Sequence, residues 1–387
     1  MPVLGSGGVR ALYFAYFAFV GIFSPFLSLW FDARGLTIAE IAVLMSLPQA
    51  LRIVAPPFWG WLADRHGHRV RLLRASAAAS LAVLLVLPFV DGFGAYALLM
   101  LALFFLTAAQ MPVGEAIALD LSRGDAGRYG RLRVWGSIGF ILTVLCGGPL
   151  LDAFGLEALP WLMGAAMAVL VAVTLALREP AAVPTLRDGT SLGQRLREPA
   201  IVFFMASAFL MVFAHAALYS LYSLFLERQG WSRTGIGAMW ALGVLAEIAL
   251  FFGQRRLFDH VTPMRLLAAS FLVCALRFAI IAAAAGSAAL LVLAQLMHAV
   301  TFGLHHSASM AVLHRWFAPA QQARAQAAFI VVAYGLGGTA GGLAAGVLWE
   351  RIAPEAAFFG AALAALAGWV AVLIAQRRHA AAGASLG

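Results

Sequence analysis

Apolar stretches of eighteen or more residues recur along the whole of this 387-residue chain, separated by short polar breaks that contain glycine or proline. Each stretch is long enough to cross a hydrocarbon core of roughly 30 Å as a helix. Hydrophobic residues make up 63% of the chain and charged residues only 11%, which excludes a water-soluble globular domain of this size. Because lipid leaves backbone polar groups to be satisfied within the chain, the sequence predicts an all-α membrane protein.

The apolar runs predict twelve transmembrane helices in two groups of six. The first group is predicted near 9–31, 39–62, 71–90, 94–121, 129–151 and 155–177, and the second near 200–228, 233–253, 265–284, 288–314, 324–349 and 354–377. The residues between the groups are polar and include proline and glycine, as expected of a cytoplasmic linker. The predicted domains are an N-terminal six-helix bundle, 1–178, a linker, 179–198, and a C-terminal six-helix bundle, 199–387.

The formal net charge of +9 is spread among apolar helices, so it indicates contact with membrane lipids and argues against nucleic acid as a partner. Most arginines lie near the termini or the loops after predicted helices 2, 4, 6, 8 and 10. The opposite loops hold only Arg34, Arg228, Arg233 and Arg351. This asymmetry predicts a multi-pass protein of the bacterial inner membrane with both termini in the cytoplasm. The first residues lack the pattern of a removable signal peptide.

The two halves of the chain repeat each other at a constant offset. Asp32-x-x-Gly35, at the end of predicted helix 1, corresponds to Glu227-x-x-Gly230 at the end of predicted helix 7. Leu62-Ala63-Asp64 corresponds in the same way to Leu257-Phe258-Asp259, and every offset is 195 residues. Same-sense repeats of six helices are typical of transporters that bind their substrate near the bilayer midplane.

The loop after predicted helix 2 reads Gly60-Trp61-Leu62-Ala63-Asp64-Arg65-His66-Gly67-His68-Arg69. It resembles the signature G-x-L-A-D-R-x-G-x-R of the major facilitator superfamily, which implies twelve helices in two pseudo-symmetric bundles and transport by alternating access. The carboxylate can accept hydrogen bonds from a neighbouring helix N-terminus, and the arginines can bind lipid phosphates or acidic side chains. The candidate residues of a conformational latch are Gly60, Asp64, Arg65, Gly67 and Arg69. The alternative is an ordinary positively charged cytoplasmic loop.

Further segments resemble one family within that superfamily. They are Tyr129-Gly130-Arg131-Leu132-Arg133-Val134-Trp135-Gly136-Ser137-Ile138-Gly139 and Gln295-Leu296-Met297-His298-Ala299-Val300-Thr301-Phe302-Gly303. Both are similar to the phenylpropionate permease family, which is related to the lactose permease and nucleoside proton symporter group. The resemblance implies symport of a small organic solute with a proton as the coupling ion and with no cofactor. An aromatic carboxylate such as a phenylpropionate-like acid is the expected substrate.

Ionised side chains are rare within the predicted helices, where each costs about 2.5 to 3.5 kcal/mol on insertion scales and therefore suggests a function. Glu247 and Arg277 each lie fifteen residues from Thr262, the apex of their hairpin, and His298 lies about as far beyond the next apex as Arg277 precedes it. We predict that these three charged groups share one layer and couple transport to protons, with Glu247 as the carrier. Relatives of the lactose permease place an acid, an arginine and a histidine similarly, but Thr301 replaces their proton-carrying glutamate. The alternative is a structural ion pair.

Glu115 and Arg133 are each nine residues from Gly124 and should face each other across a hairpin. Their resemblance to the substrate-binding acid and arginine of the lactose permease implies the same role here. Phe140 stands where that protein has its sugar-stacking tryptophan, so a sugar is less expected than a flatter, less hydroxylated molecule. Arg52, deep in predicted helix 2, could also bind a carboxylate. The remaining candidates for ring contacts or cavity lining are Tyr13, Phe17, Phe140, His215 and Tyr219. Helix packing or lipid contact is the alternative for each aromatic residue, and a satisfied structural role is the alternative for His215.

Several other functions are not supported by the sequence. His305 and His306 are adjacent and therefore point to different faces, and no cysteine or carboxylate joins them at metal-ligand spacing, so no metal site is predicted. No catalytic constellation typical of an intramembrane enzyme is present, and no extramembrane domain typical of a receptor. The open alternatives are a proton-coupled exporter of drugs or metabolites, and a sugar or nucleoside proton symporter. A bundle that encloses its own pathway is expected to work as a monomer.

Overall fold

The computed structural model describes residues 6–122, 125–177, 192–283 and 286–384. Twelve segments of this part of the chain are helical, long enough and apolar enough to cross a membrane, which confirms the predicted number. We call them spans 1 to 12. Most of the predicted linker and the side chain of the latch candidate Asp64 lie outside the described residues.

The spans follow the order predicted from the hydrophobic runs. The first six are Ser6–Ala33, Ile38–His66, Arg69–Val86, Phe93–Thr107 with Gln110–Ser122, Ala126–Phe154, and Leu159–Ala176. The second six are Pro199–Arg228, Arg233–His260, Pro263–Ala283, Ala288–Leu296 with His305–Trp316, Pro319–Phe329 with Gly338–Arg351, and Pro354–Ala384. Span 11 begins five residues before the predicted position 324, because a proline is well placed at the first position of a helix.

The turns that end spans 1 and 7 show the sequence repeat in the backbone. Gly35 and Gly230 both take positive φ angles, 78° and 83°, which L side chains rarely adopt. In each turn the glycine amide donates to the carbonyl oxygen three residues earlier, at 2.9 Å from Asp32 and 2.9 Å from Glu227. The aligned motifs therefore specify the same helix end twice.

The start of span 5 is capped by an acidic side chain. The backbone amide of Arg128 donates to the carboxylate of Asp125 at 3.0 Å. This hydrogen bond to the charged form lowers the pKa of the Asp125 carboxyl, which lies outside the membrane-spanning helix.

Three spans depart from regular α-helix geometry. Span 4 is interrupted at residues 108–109, and span 10 contains a π-helical turn at Ala299–Leu304. The offset of 195 carries the break in span 4 into this π turn, so corresponding helices of the two repeats are interrupted at corresponding places. A second π turn, Ile330–Gly337, interrupts span 11. Such interruptions are frequent at functional sites, and in repeat-built transporters they point to the substrate site.

The chain divides into two compact units, Met1–Pro184 with Ser223–Ala241 and Thr185–Tyr222 with Leu242–Gly387. In the first unit, spans 1 and 5 pack closely through glycines. A Cβ atom on Gly136 would lie 2.6 Å from Cδ2 of Phe17, and one on Gly147 would lie 2.9 Å from Cδ1 of Ile22. On the same seam a Cβ atom on Gly139 would overlap the carbonyl oxygen of Phe14, so a larger residue there would push the two helices apart.

The second unit repeats this arrangement with spans 7 and 11. A Cβ atom on Gly337 would lie 2.5 Å from the carbonyl oxygen of Phe209, and one on Gly341 would lie still closer to the carbonyl oxygen of Phe213. The glycine pattern of span 11 is therefore a packing surface for span 7, as small residues at four-residue spacing commonly are in membranes.

Residues 223–241 pack with the first unit although they follow the linker in sequence. The carboxylate of Asp152, near the end of span 5, accepts hydrogen bonds from the backbone amides of Arg233 and Thr234 at 3.0 and 2.9 Å. It also accepts one from the Thr234 hydroxyl at 2.6 Å. A Cβ atom on Gly148 would lie 2.5 Å from the Arg233 carbonyl oxygen, so this contact requires a glycine. Asp152 thus caps the start of span 8 from another helix.

Candidate functional site

The first unit contains an ion pair surrounded by aromatic rings, which we call the first cluster: Tyr13, Phe17, Glu115, Tyr129 and Arg133. Nε of Arg133 lies 3.6 Å from Oε1 of Glu115, and the Tyr129 hydroxyl donates to Oε2 of the same carboxylate at 2.5 Å. The Arg133 guanidinium carbon lies 4.4 Å from the ring centre of Phe17 and 5.5 Å from that of Tyr13. The cluster offers ring faces beside an arginine that already has a counter-charge.

Local structure explains how these side chains meet. Tyr129 and Arg133 are four residues apart on span 5 and therefore lie on one face of that helix. Glu115 lies on the second helix of span 4, just beyond the interruption at residues 108–109. The close approach of spans 1 and 5 at Gly136 brings the ring of Phe17 over the guanidinium.

The other substrate candidates of the first unit lie around this cluster. The side chain of Arg52 is exposed, and Tyr16 lies within electrostatic reach of both Arg52 and Arg133. Phe140 is buried on the seam between spans 1 and 5, where a Cβ atom on Gly21 would lie 2.7 Å from the Phe140 carbonyl oxygen.

The second unit buries a network that we call the second cluster: His215, Arg277, Gln295, His298 and Thr301. The side chain of Arg277 is fully buried and donates hydrogen bonds to four acceptors. Nε donates to the Ala294 carbonyl oxygen at 2.8 Å, and Nη2 donates to Oε1 of Gln295 at 2.7 Å. Nη1 lies 3.1 Å from Oγ1 of Thr301 and 3.4 Å from Nε2 of His215.

The hydrogen bonds of His215 define its tautomer. Nδ1 lies 2.9 Å from the carbonyl oxygen of Met211, which can only accept, so Nδ1 carries the proton. Nε2 then accepts from Nη1 of Arg277 and lies 3.2 Å from the Thr301 hydroxyl. His215 is therefore a neutral acceptor in this arrangement.

A small cavity opens beside His215 and Thr301 in the second unit. Its volume is ≈ 20 Å³, enough for about one water molecule. The side chains that line it include those of His215, Tyr219, Thr301, Phe302 and His306. The substrate candidates His215 and Tyr219 thus share a cavity in which most of the lining groups are aromatic.

The acceptors of Arg277 are all neutral groups. Among the described carboxylates of the second unit, none lies within 4.0 Å of its guanidinium nitrogens. Glu247 packs beside the π turn of span 10, where a Cβ atom on Gly303 would lie 2.9 Å from Cγ of Glu247. The ring of His298 stacks on that of Phe302 at 5.2 Å between centres and 8° between planes. Arg277 therefore contacts neutral hydrogen-bond acceptors, whereas Glu247 contacts the π turn of span 10.

The latch candidates lie at the end of span 2 and the start of span 3. Gly67 ends span 2 with a φ of 64°, and its amide donates to the Ala63 carbonyl oxygen at 3.0 Å. The Arg65 guanidinium lies 5.4 Å from the ring centre of Trp61. Gly60 faces open space, and Arg69 begins span 3.

Four polar side chains with structural partners were not assigned from the sequence: Tyr129, Gln295 and Thr301 in the two clusters, and Asp152 at the start of span 8. Tyr129 lies one helical turn from Arg133, and Gln295 and Thr301 lie one turn or less on either side of His298, so helical spacing could have identified them. Asp152 gives no comparable signal, because its partners are 81 and 82 residues away. In the part of the chain that the structure describes, no three His, Cys, Asp or Glu side chains form a group that could hold a metal ion.

Comparison with known proteins assigns the fold to a family. The chain matches the MFS_1 like family over residues 8–360. It belongs to this family. The protein is therefore a major facilitator transporter embedded in the bacterial inner membrane by multiple spans, and it is not an enzyme. Its substrate is a small molecule.

Individual relatives cover nearly the whole of the transporter. It is 28% identical to the probable 3-phenylpropionic acid transporter of Escherichia coli K12, over 84% of this chain and 86% of that protein. It is 27% identical to the maltose permease of Geobacillus stearothermophilus, over 96% of this chain and 94% of that one. The crystal structure of the nucleoside transporter NupG is similar with a TM-score of 0.82 at 18% identity, covering 96% of this chain and 98% of that chain, and shows the shared fold.

Proposed function

We propose that the transporter moves a small aromatic carboxylate across the membrane together with a proton, by alternating access. The observation that carries this proposal is the pairing of a guanidinium with aromatic rings in each unit: Arg133 beside Phe17 and Tyr13, and Arg277 beside Phe278 at 5.4 Å. Guanidinium groups bind carboxylates through charge-assisted hydrogen bonds, and ring faces favour a second ring. The similarity to a protein named for 3-phenylpropionic acid supports the same class.

The proposed roles follow from these positions. Ring contacts and polar contacts to the substrate are assigned to Tyr13, Phe17, Arg52, Glu115, Arg133, Phe140, His215 and Tyr219. Proton coupling is assigned to Glu247, Arg277 and His298, with Glu247 as the proton carrier. Glu247 lies against the π turn that contains Thr301, so a change in its protonation would act next to a hydrogen-bond partner of Arg277.

The orientation and the latch complete the proposal. Both termini face the cytoplasm, as the distribution of arginines indicates. Gly60, Asp64, Arg65, Gly67 and Arg69 then form a cytoplasmic latch whose charges favour one conformation. A single chain suffices for transport, because each molecule contains both repeats.

Uptake into liposomes that contain only the purified transporter tests this function. We expect an inward proton gradient to drive accumulation of labelled 3-phenylpropionate. In Glu247→Gln we expect accumulation against a gradient to fall about tenfold or more, because the side chain can no longer release a proton. Exchange of substrate at equal concentrations should continue in this variant.

Glu355→Gln, at the start of span 12, is the matched control and should accumulate substrate like the wild type. Full accumulation by Glu247→Gln would assign the proton to another residue. No movement of any aromatic carboxylate, in either direction, would contradict the substrate class.

Two other functions use the same assay with different outcomes. A proton-coupled exporter of drugs or metabolites would move lipophilic compounds across the liposome membrane in exchange for protons and give no carboxylate uptake. A sugar or nucleoside proton symporter would accumulate a sugar or a nucleoside in place of the acid. The maltose permease and the nucleoside transporter NupG are named for these two classes of solute.

A further inference from the structure

Arg277 is a buried charge whose counter-ion is missing from its surroundings. A guanidinium is charged at every physiological pH, and buried charges are normally paired because removal from water is costly. Arg277 is fully buried, yet its four acceptors are a carbonyl oxygen, an amide oxygen, a hydroxyl and a neutral imidazole. Arg133, by contrast, has the carboxylate of Glu115 at 3.6 Å. The charge balance of the second cluster therefore lacks one anion.

The two edges of the Arg277 guanidinium differ in how firmly they are held. Nε donates to the Ala294 carbonyl oxygen at 2.8 Å, and Nη2 donates to Oε1 of Gln295 at 2.7 Å. Both acceptors lie near the end of the first helix of span 10, Ala288–Leu296. Nη1 has longer contacts, 3.1 Å to Thr301 and 3.4 Å to His215. Both of those residues also line the small cavity. The Nη1 edge is thus the one from which acceptors can be displaced by a ligand entering the cavity.

The surroundings of this edge suit an aromatic acid. The rings of Phe278 and Phe302 lie 5.4 and 6.2 Å from the ring of His215, and the ring of His298 stacks on that of Phe302. Nδ1 of His298 is buried and has no hydrogen-bond partner among the described residues, while the whole residue is only 8% exposed. An unsatisfied buried nitrogen next to an unbalanced charge is what an absent polar ligand would leave behind.

We propose that Nη1 of Arg277 is the docking point for the carboxylate of the substrate. His215 and Thr301 act as neutral acceptors that hold the guanidinium until a carboxylate replaces them, and the stacked rings of Phe302 and His298 flank the substrate ring. A cavity of ≈ 20 Å³ has to widen for this exchange, so the side chains of His215 and Thr301 move as the substrate enters. This inference rests on the proposed function and names the part of the site that recognises the charge.

Affinity measurements with a charged probe and its neutral analogue test the docking point. The probes are 3-phenylpropionate and 3-phenylpropionamide, titrated calorimetrically into the full-length transporter in detergent. We expect the wild type to bind the acid about tenfold or more tightly than the amide, since only the acid supplies the missing anion. In Arg277→Gln this ratio should fall to near one. In Arg133→Gln the affinities for the acid and the amide should fall together, so the ratio should stay within about threefold of the wild-type ratio, because Glu115 already balances the charge of Arg133.

Thr301→Val provides a second, nearly isosteric test that removes one competing acceptor of Arg277. We expect the affinity of this variant for the acid to rise about threefold or more and its affinity for the amide to stay unchanged. The reason is that the Arg277 guanidinium of the ligand-free protein loses one hydrogen-bond acceptor. This variant decides the matter if Arg277→Gln does not fold. A purely structural Arg277 predicts no such rise.

Three results would overturn the inference: an acid-to-amide ratio retained in Arg277→Gln, a ratio lost only in Arg133→Gln, or an acid affinity unchanged or weakened in Thr301→Val. If the acid is transported but the wild type does not distinguish it from the amide, the docking point fails while the proposed function stands. If no aromatic carboxylate binds or moves, the proposed function fails, and the docking point fails with it.

Discussion

Single residues in this transporter act through backbone angles and through buried charge. Gly35 and Gly230 end spans 1 and 7 with positive φ angles, so these two positions require a residue without a Cβ atom. Arg277 shows the second effect, because a group that cannot lose its charge has to find acceptors inside the second unit. Both effects depend on residue type and both can be tested by one substitution.

Gly230→Ala tests the conformational requirement. We expect the variant to unfold at a lower temperature than the wild type, because a left-handed conformation costs an L residue about 1–2 kcal/mol. Gly253→Ala, inside span 8 and facing open space, should leave the unfolding temperature unchanged or raise it slightly. Light scattering of detergent-solubilised protein on a temperature ramp measures both. Equal effects of the two substitutions would show that the turn does not depend on the angle at Gly230.

Elements of the two repeats are matched in their packing and in their interruptions. Spans 1 and 5 meet through glycines in the first unit, and spans 7 and 11 do so in the second. Spans 4 and 10 are both interrupted. Glu115 of the first cluster lies close to the interruption of span 4, and Thr301 of the second cluster lies in that of span 10. The interruptions position polar side chains, and the glycine seams hold the neighbouring helices close enough to meet them.

Gly337→Ala tests the seam between spans 7 and 11. Its new methyl group would lie 2.5 Å from the Phe209 carbonyl oxygen, so we expect the helices to separate and the protein to aggregate at a lower temperature. Gly164→Ala is the matched control. Gly164 is buried in span 6, but a Cβ atom built there would have no heavy atom within 4 Å apart from those of its own stretch of helix. Size-exclusion chromatography after heating measures the monodisperse fraction. A Gly337→Ala protein as heat-resistant as the control would mean that the seam tolerates a larger residue.

On the scale of the whole molecule, the boundaries of the two compact units do not coincide with the linker between the two repeats. Residues 223–241 pack with the first unit, and Asp152 caps the start of span 8 there. In alternating access, segments from the two repeats close one face of the transporter. These segments have to separate once in each transport cycle. A cap made of three hydrogen bonds would then influence how often this contact opens.

Asp152→Asn tests that influence. The amide group can accept fewer of these hydrogen bonds and has no charge for the helix N-terminus, so we expect the contact to open more often. The readout is alkylation of Val144→Cys, a fully buried position beside Gly237, in a background where Cys146 and Cys274 are serine. We expect alkylation to be about three to ten times faster than with Asp152 present, which corresponds to about 1 kcal/mol.

The control for this experiment is Asp91→Asn, whose carboxylate is exposed and bonds to Arg34 instead. It should leave the alkylation rate unchanged. The same acceleration in both variants would indicate a general loosening of the protein, and no acceleration in Asp152→Asn would show that Asp152 does not hold this contact closed.

The sequence by itself determined the twelve spans, the repeat and the family, because these depend on hydrophobic length and on local motifs. Hairpin counting from residues 124 and 262 also assigns heights in the membrane, but it contains no information on rotation about a helix axis. Each residue turns a helix by about 100°, and a π turn such as Ala299–Leu304 adds a further shift. Only the tertiary structure therefore decided that Arg277 bonds to Thr301 and His215, and that Asp152 caps a helix 81 residues away.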